Sequence, residues 1–489
     1  MSAEARGYAT EVSYLRSFCG SLAPPLLRAV AALNGFEPPP AEGFDYCELG
    51  SGNGDTTATL AAACPRARFW GVDISRDHVA VARDLARRGG LGNVRFVEGD
   101  FEALDRASLP AFDYITAHGL LSWISPAKRR ALVDFAGAKL KPGGLLFVSY
   151  NALPGWAAVE PLRRLMFEGS AGVPDTLERA RRGVALARLL AEAKAGYFTQ
   201  NPVTQSMLDA IAEGGIPYAI HEYFQPFWHA MYVADVAREM AAGDLQFVGQ
   251  LPLYLNYGDL SVPPEAMRLL ADVKDRMVFE SLKDYALNEF FRRDVYVKGA
   301  GEHTPDATAA YLDTTPFGTL VPAGRLARSV RLPHYTVDFH GPVYDAVLAA
   351  LAEQPVSALE LARRPDLAAF DLDRIRETLS CTLLGDEVGP MRPDTPALAP
   401  PPRSVHVPSS YNRMILAQEL GPDSVVALAA HAAATGFVVR GPDLLALRAL
   451  AGLAPPGREG VGAGEVEQFR VEQAPKLLQL GVLASGEAR

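Results

Sequence analysis

Between Phe44 and about Gly155, short apolar runs alternate with helix-forming stretches. That rhythm constrains the fold more than any other feature of the chain, because it means βαβ units and a parallel sheet. Phe44-Asp45-Tyr46-Cys47-Glu48-Leu49 reads as a buried strand that runs into Gly50-Ser51-Gly52-Asn53-Gly54, with a helix opening near Asp55-Thr56-Thr57. Glycines there let the backbone turn sharply and approach a ligand, and a helix N-terminus offers free N–H groups to an anionic group. Ordinary strand–helix turns use glycine too, so the ends of the later strands have to discriminate. A second strand, Arg68 to Val72, ends at Asp73-Ile74-Ser75, roughly twenty residues on, where a nucleoside ribose would meet a carboxylate. Asp73 can equally cap the helix that starts at Ser75. A third strand, Asn93 to Gly99, ends at Asp100-Phe101, an acid able to accept from an adenine amino group beside a ring able to cover it. A fourth, Phe112 to Ala117, ends at His118, and a fifth, Gly144 to Ser149, leads into Tyr150-Asn151. In open α/β sheets that carboxyl edge is the ligand crevice.

The rest of the chain sets bounds. With 489 residues, more than one domain is expected. A net charge of −10 argues against a nucleic-acid partner, which needs a basic face. Cys19, Cys47, Cys64 and Cys381 are scattered without a CxxC pair, so neither a zinc site nor a disulfide framework is expected. The pairing of His221-Glu222 with His229 lacks a third ligand at a fitting offset, and the aromatic residues around it read as a packed face, so no metal is expected. MSAEARGYATEV lacks a basic segment followed by an apolar core, and no stretch has the apolar length of a membrane span. A soluble cytoplasmic protein without membrane insertion is the expectation.

ELGSGNG, the acid of GVDIS, the GDF turn and LKPGG together resemble the class I S-adenosylmethionine-dependent methyltransferases over about residues 44–155. The resemblance implies an α/β fold with a Rossmann-like, seven-stranded core and S-adenosylmethionine as cofactor. Glu48, Gly50, Ser51, Gly52 and Gly54 then match the loop that cradles its methionine part. Asp73 matches the ribose acid with Ile74 packing on the adenine, Asp100 and Phe101 match the adenine edge, and His118 faces the sulfonium region. GYATEVSY, AHGLLSWI, SYNALPGW, HEYFQPFWHAMYVADVAREM and FFRRDVYVKG are similar to a subgroup with a methyltransferase regulatory domain. That subgroup includes bacterial protein-lysine N-methyltransferases acting on outer-membrane proteins. It implies a helical N-terminal lid over 1–40, a cofactor domain over 41–156 and a mostly helical regulatory domain over 157–300. A Gly-, Pro- and Thr-rich linker over 301–340 and a C-terminal winged-helix-like and helical domain over 341–489 complete the expected order.

An amine must be neutral to attack a sulfonium methyl, so a nearby acceptor or an apolar pocket helps it. Tyr150, Asn151 and His118 are the candidate catalytic residues. Tyr14 is a further candidate at the cofactor, and Trp123 and Trp156 are candidate walls of an acceptor pocket, where aromatic faces suit a methylammonium product. Trp123 in an apolar run and Trp156 after Pro154-Gly155 read equally well as core and anchor. Arg292-Arg293-Asp294 reads as an ion-paired surface or domain interface. The expected reaction is methyl transfer to lysine side chains of a protein, preferred over a small-molecule or peptide natural-product acceptor and over a cofactor-binding regulatory protein without turnover.

Overall fold

A helix opened by Pro24 and closed by Asn34-Gly35 packs an apolar face built from Leu27, Val30 and Ala31 into the protein. In the computed structural model, which describes residues 18–102, 104, 109–225, 227–299, 303–421, 423–453 and 461–486, this helix is α1 (Pro24–Leu33). The expected alternation comes next as β1 (Asp45–Leu49), α2 (Asp55–Ala63), β2 (Arg68–Asp73), α3 (Arg76–Gly89), β3 (Val94–Glu98), β4 (Phe112–Ala117), α4 (Pro126–Lys139) and β5 (Leu140–Asn151). Strand β1 is buried along its whole length, as a central parallel strand covered on both faces must be. Local chemistry sets the boundaries. Ser75 caps α3 by accepting from His78 N, and Ser125 caps α4 by accepting from Lys128 N. Gly90 closes α3 in the left-handed conformation.

Past Asn151 come α5 (Glu160–Gly169), α6 (Thr176–Glu192), α7 (Val203–Tyr223), α8 (Val233–Ala241), β6 (Leu245–Gln250), α9 (Arg276–Leu287) and β7 (Phe291–Lys298). The last strand is where the structure departs from the expected domain order. The sheet has seven strands in the order β3-β2-β1-β4-β5-β7-β6. The first five are parallel, while β7 runs antiparallel to both β5 and β6. Two strands of the middle segment therefore complete the cofactor sheet, and a boundary at residue 156 would cut through it. Arg292, Arg293 and Asp294 hide β7 from sequence reading, since a strand covered on both faces usually reads as an apolar run.

The stretch 301–340 is not a free linker. It holds α10 (Pro305–Thr314) and β8 (Phe317–Thr319), with Tyr311, Leu312 and Phe317 buried in the main core. Three further helices follow: α11 (Pro342–Glu353), α12 (Ala358–Leu361) and α13 (Leu372–Thr382). They lead to β9 (Val388–Pro390), which pairs with β8. The final segment, expected to be helical, also contains a β-hairpin, β10 (Val425–Ala430) with β11 (Thr435–Arg440). The turn of this hairpin leans on the end of α2: Cys64 Sγ donates to Ala434 O at 3.6 Å, and His431 Nδ1 lies 3.1 Å from Ala63 O. Among the described residues, no helix is long and apolar enough to cross a membrane.

Candidate functional site

The strand order reverses between β1 and β4, because β2 and β4 flank β1 on opposite sides. That topology opens a crevice at the carboxyl ends of the strands. Gly50, Gly52 and Gly54 all have positive φ (72°, 52° and 79°), which side-chain-bearing residues avoid. They differ in surroundings. A Cβ on Gly54 would sit 2.7 Å from Ala82 and Phe96, and one on Gly50 2.7 Å from Leu120, whereas one on Gly52 would meet nothing within 4 Å. Gly54 thus serves close packing, while Gly52 leaves open space above the turn. Among the described residues, the buried Ser51 hydroxyl has no hydrogen-bond partner.

Asp73 locks this turn. One carboxylate oxygen accepts from Gly52 N and the other from Ser75 N, both at 2.8 Å. The capping reading of Asp73 and the ligand reading therefore share one side chain, and His78 Nδ1 stands 3.4 Å away. Glu48 is buried and accepts from the Thr57 hydroxyl. Burial pushes its pKa up to about 8, so the free protein holds it mostly protonated at neutral pH. Ile74 is half-buried at the end of β2. Asp100 pairs with Lys128 from α4, and Phe101 packs into the core beside it.

The two ends of β4 and β5 meet at His118. Gly119 N donates to Ser149 Oγ at 2.8 Å, and Ser149 Oγ lies 2.8 Å from His118 Nδ1. Phe147 and Phe291 flank the ring, with centroids 6.2 Å away. Burial, and after it the charge of Arg293, pushes His118 down to about 4, so the imidazole is neutral at physiological pH. Asn151 stands two residues after Ser149 on the same face of the strand. It is buried, its backbone N–H donates to Ser122 Oγ, and its Nδ2 has no partner among the described residues.

Tyr150 is a correction. Successive strand residues face opposite ways, and Tyr150 points away from His118 into the packed face. Its phenol is fully buried and donates to Asp294 at 2.6 Å. Asp294 belongs to a buried ion network in which Arg292 also meets Asp284 at 2.5 Å and Glu280 at 3.0 Å. The Arg292–Asp294 stretch is ion-paired, as read from the sequence, but in the core and not on a surface. Trp123 and Trp156 are likewise core residues: both are buried in the cluster of the middle helices, with the Trp156 and Trp228 rings 4.9 Å apart. Tyr14 lies outside the described residues. Sequence reasoning missed Ser149, Lys128 and Arg293. The signal for Ser149 was the two-residue strand period counted back from Asn151.

Residues 47–144 match the methyltransferase domain family, and residues 217–298 match the family described as a predicted methyltransferase regulatory domain. The Synechocystis protein sll1526 is 32% identical over 485 residues, covering 99% of this chain and 94% of that protein. Trans-aconitate 2-methyltransferase of Escherichia coli O157:H7 is 31% identical over 188 residues, 36% of this chain and 69% of the enzyme. The chain belongs to the S-adenosylmethionine-dependent methyltransferases that carry a regulatory domain. The structure of PKMT2 from Rickettsia typhi has the same fold, with a TM-score of 0.72 over 97% of this chain and all of that one at 18% identity. The same protein is also known in complex with AdoHcy. The methyltransferase uses S-adenosylmethionine as its cofactor. Its glycine turn suits an extended polar ligand, since the space over Gly52 is open.

Proposed function

We propose that this methyltransferase transfers methyl groups to lysine side-chain amines of a protein substrate. Bound S-adenosylmethionine supplies an electrophilic methyl on a sulfonium. Gly50, Ser51, Gly52 and Gly54, with Glu48 beneath them, hold its methionyl part. Asp73 takes the ribose hydroxyls, Ile74 lies against the adenine, and Asp100 and Phe101 meet the adenine edge. The observation that carries the choice of acceptor is the neutral, desolvated His118 held by Ser149. A crevice that disfavours a charged imidazole also disfavours a charged ammonium, so it favours the free amine that attacks. Asn151, on the same face, orients that amine through its side-chain amide. His118 contributes an uncharged hydrogen-bonding edge and does not repel an incoming cation. The resemblance to protein-lysine methyltransferases supports the same acceptor, and the segment from α11 onward is the proposed dock for the protein substrate.

The small-molecule reading is favoured by one observation, the match to trans-aconitate 2-methyltransferase. Incubation with cofactor labelled in its methyl group separates the two. A panel of lysine-rich proteins and a panel of small polycarboxylic acids are offered in parallel. Label on protein, mapped by mass spectrometry to lysine, is the expected result. Label on the acids alone refutes the lysine reading, and label on neither leaves the regulatory reading in its place.

A further inference from the structure

Strand β7 enters the sheet beside β5, and its register decides which side chains reach the crevice. Arg293 stands directly opposite Ser149, and Phe291 opposite Asn151. Arg293 therefore shares a face with Ser149 and with the His118 ring that Ser149 holds. Arg292 and Asp294, its neighbours, turn to the opposite face. The contrast in their partners is large. Arg292 is matched by Glu280, Asp284 and Asp294. Among the described residues, Arg293 pairs with no carboxylate: one Nη donates to Ser21 Oγ at 3.3 Å, and its Nε is buried with no partner.

The surroundings of Arg293 tie it, through the N-terminal turn, to the helix that follows the glycines. Ser21 belongs to the short turn before α1, and in the same turn Cys19 N donates at 3.0 Å to Thr56 Oγ1, in the first helical turn after Gly54. The guanidinium thus contacts the N-terminal turn, which is itself hydrogen-bonded to the start of α2, and it lies on the sheet face that carries Ser149. A guanidinium with a desolvated, unpaired N–H at such a point is matched to a planar anion. The amino-acid end of the cofactor, seated over residues 50–54, carries one. We propose that Arg293 binds the α-carboxylate of the cofactor's methionyl group, so that the regulatory segment supplies part of the cofactor site. This rests on the cofactor seating given above.

The test is calorimetric titration of the full chain with four ligands: AdoHcy, 5′-methylthioadenosine, which lacks the amino-acid end, S-adenosylmethionine, and its decarboxylated form. Arg293→Ala should weaken AdoHcy binding roughly 10- to 100-fold, the loss of one charge-assisted contact. It should leave 5′-methylthioadenosine affinity unchanged, which also reports that the variant is folded. Wild-type protein should prefer S-adenosylmethionine over its decarboxylated form, and the variant should not. Arg293→Lys should keep part of that preference. AdoHcy affinity unchanged in Arg293→Ala would overturn the proposal and assign the guanidinium to an acidic acceptor instead. Equal loss of AdoHcy and 5′-methylthioadenosine would overturn it in favour of a structural role. Wild-type protein that binds 5′-methylthioadenosine but not AdoHcy would also overturn it, while wild-type protein that binds none of the four would refute the cofactor seating itself.

Discussion

Replacing Tyr150 by Phe removes one hydroxyl and nothing else, and the structure says where the loss falls. The phenol donates at 2.6 Å to Asp294, a carboxylate with no exposed surface that also receives Arg292 Nε at 3.0 and 3.2 Å. Burial raises the pKa of Asp294, and the charge of Arg292 works against that rise. Without the phenol, this buried carboxylate loses one donor. A hydrogen bond to a buried charged group is worth about 1.5–3 kcal/mol, so Tyr150→Phe should lower the unfolding free energy by that amount. Arg292→Met should cost more, about 3–5 kcal/mol, because Glu280, Asp284 and Asp294 would all lose their shared cation. Chemical denaturation of both variants measures these losses, and AdoHcy titration with single-turnover methylation measures the site. Tyr150→Phe should retain near-normal cofactor affinity and turnover. Wild-type stability combined with lost turnover would refute this reasoning and return Tyr150 to the pocket.

Asp73→Ala should weaken AdoHcy binding by roughly one to two orders of magnitude, since it removes the proposed ribose acceptor and frees Gly52 N and Ser75 N together; calorimetry with unchanged affinity would sink the assignment. Gly54→Ala should destabilise strongly, adding a steric clash with Ala82 and Phe96 to a left-handed cost of about 1–2 kcal/mol, whereas Gly52→Ala should cost only the latter and lose cofactor affinity instead. For His118, a folded pKa of about 4 lies below the unfolded value of about 6.5. Its contribution is therefore complete above pH 6.5 and lost as the pH falls through 4, so wild-type protein should lose about 2 kcal/mol between pH 7 and pH 5 that His118→Gln does not lose. Its ring signals in NMR should show no titration near pH 6.5.

The parallel half of the sheet was legible because its β–turn–α units write themselves locally: an apolar run, a polar or glycine-rich cluster at its end, and then a helix start, capped by serine at α3 and α4. The polar clusters at the ends of β1 to β5 all stand at the crevice edge for the same reason. Choosing catalytic side chains failed where it ignored period. Tyr150 and Asn151 are adjacent on one strand and cannot share a face. The pair compatible with His118 was Ser149 and Asn151. Trp123 follows Ser122, which accepts from Asn151 N, and Trp156 packs on Trp228; an indole gains most by burial, and both took it. Strand β7 was the hardest to read. Three charges in a row signal a surface to any reading by hydropathy, and only the long-range partners Glu280, Asp284 and Tyr150 make a core strand of it.

Those partners bear on what the regulatory segment does. Its match, residues 217–298, contains the last two strands of the sheet, the antiparallel β7 and the edge strand β6. β7 pairs with β5 from Leu145 to Asn151, so it covers the edge of the strand that carries Ser149 and Asn151. An uncovered β5 would present unpaired backbone groups next to the site. The network of Arg292 with Glu280 and Asp284 also fixes α9 to β7, and Tyr150 to Asp294 fixes β7 to β5. Burying that much charge is a poor route to stability compared with packed apolar side chains, and buried ionic groups are at their best in specifying register. Here register has a direct consequence. A slip of one residue would exchange Arg293 with Arg292 or Asp294, turning a carboxylate or a fully paired guanidinium toward His118. The segment therefore fixes which charge faces the crevice, and it does so as part of the sheet and not as an attachment to it.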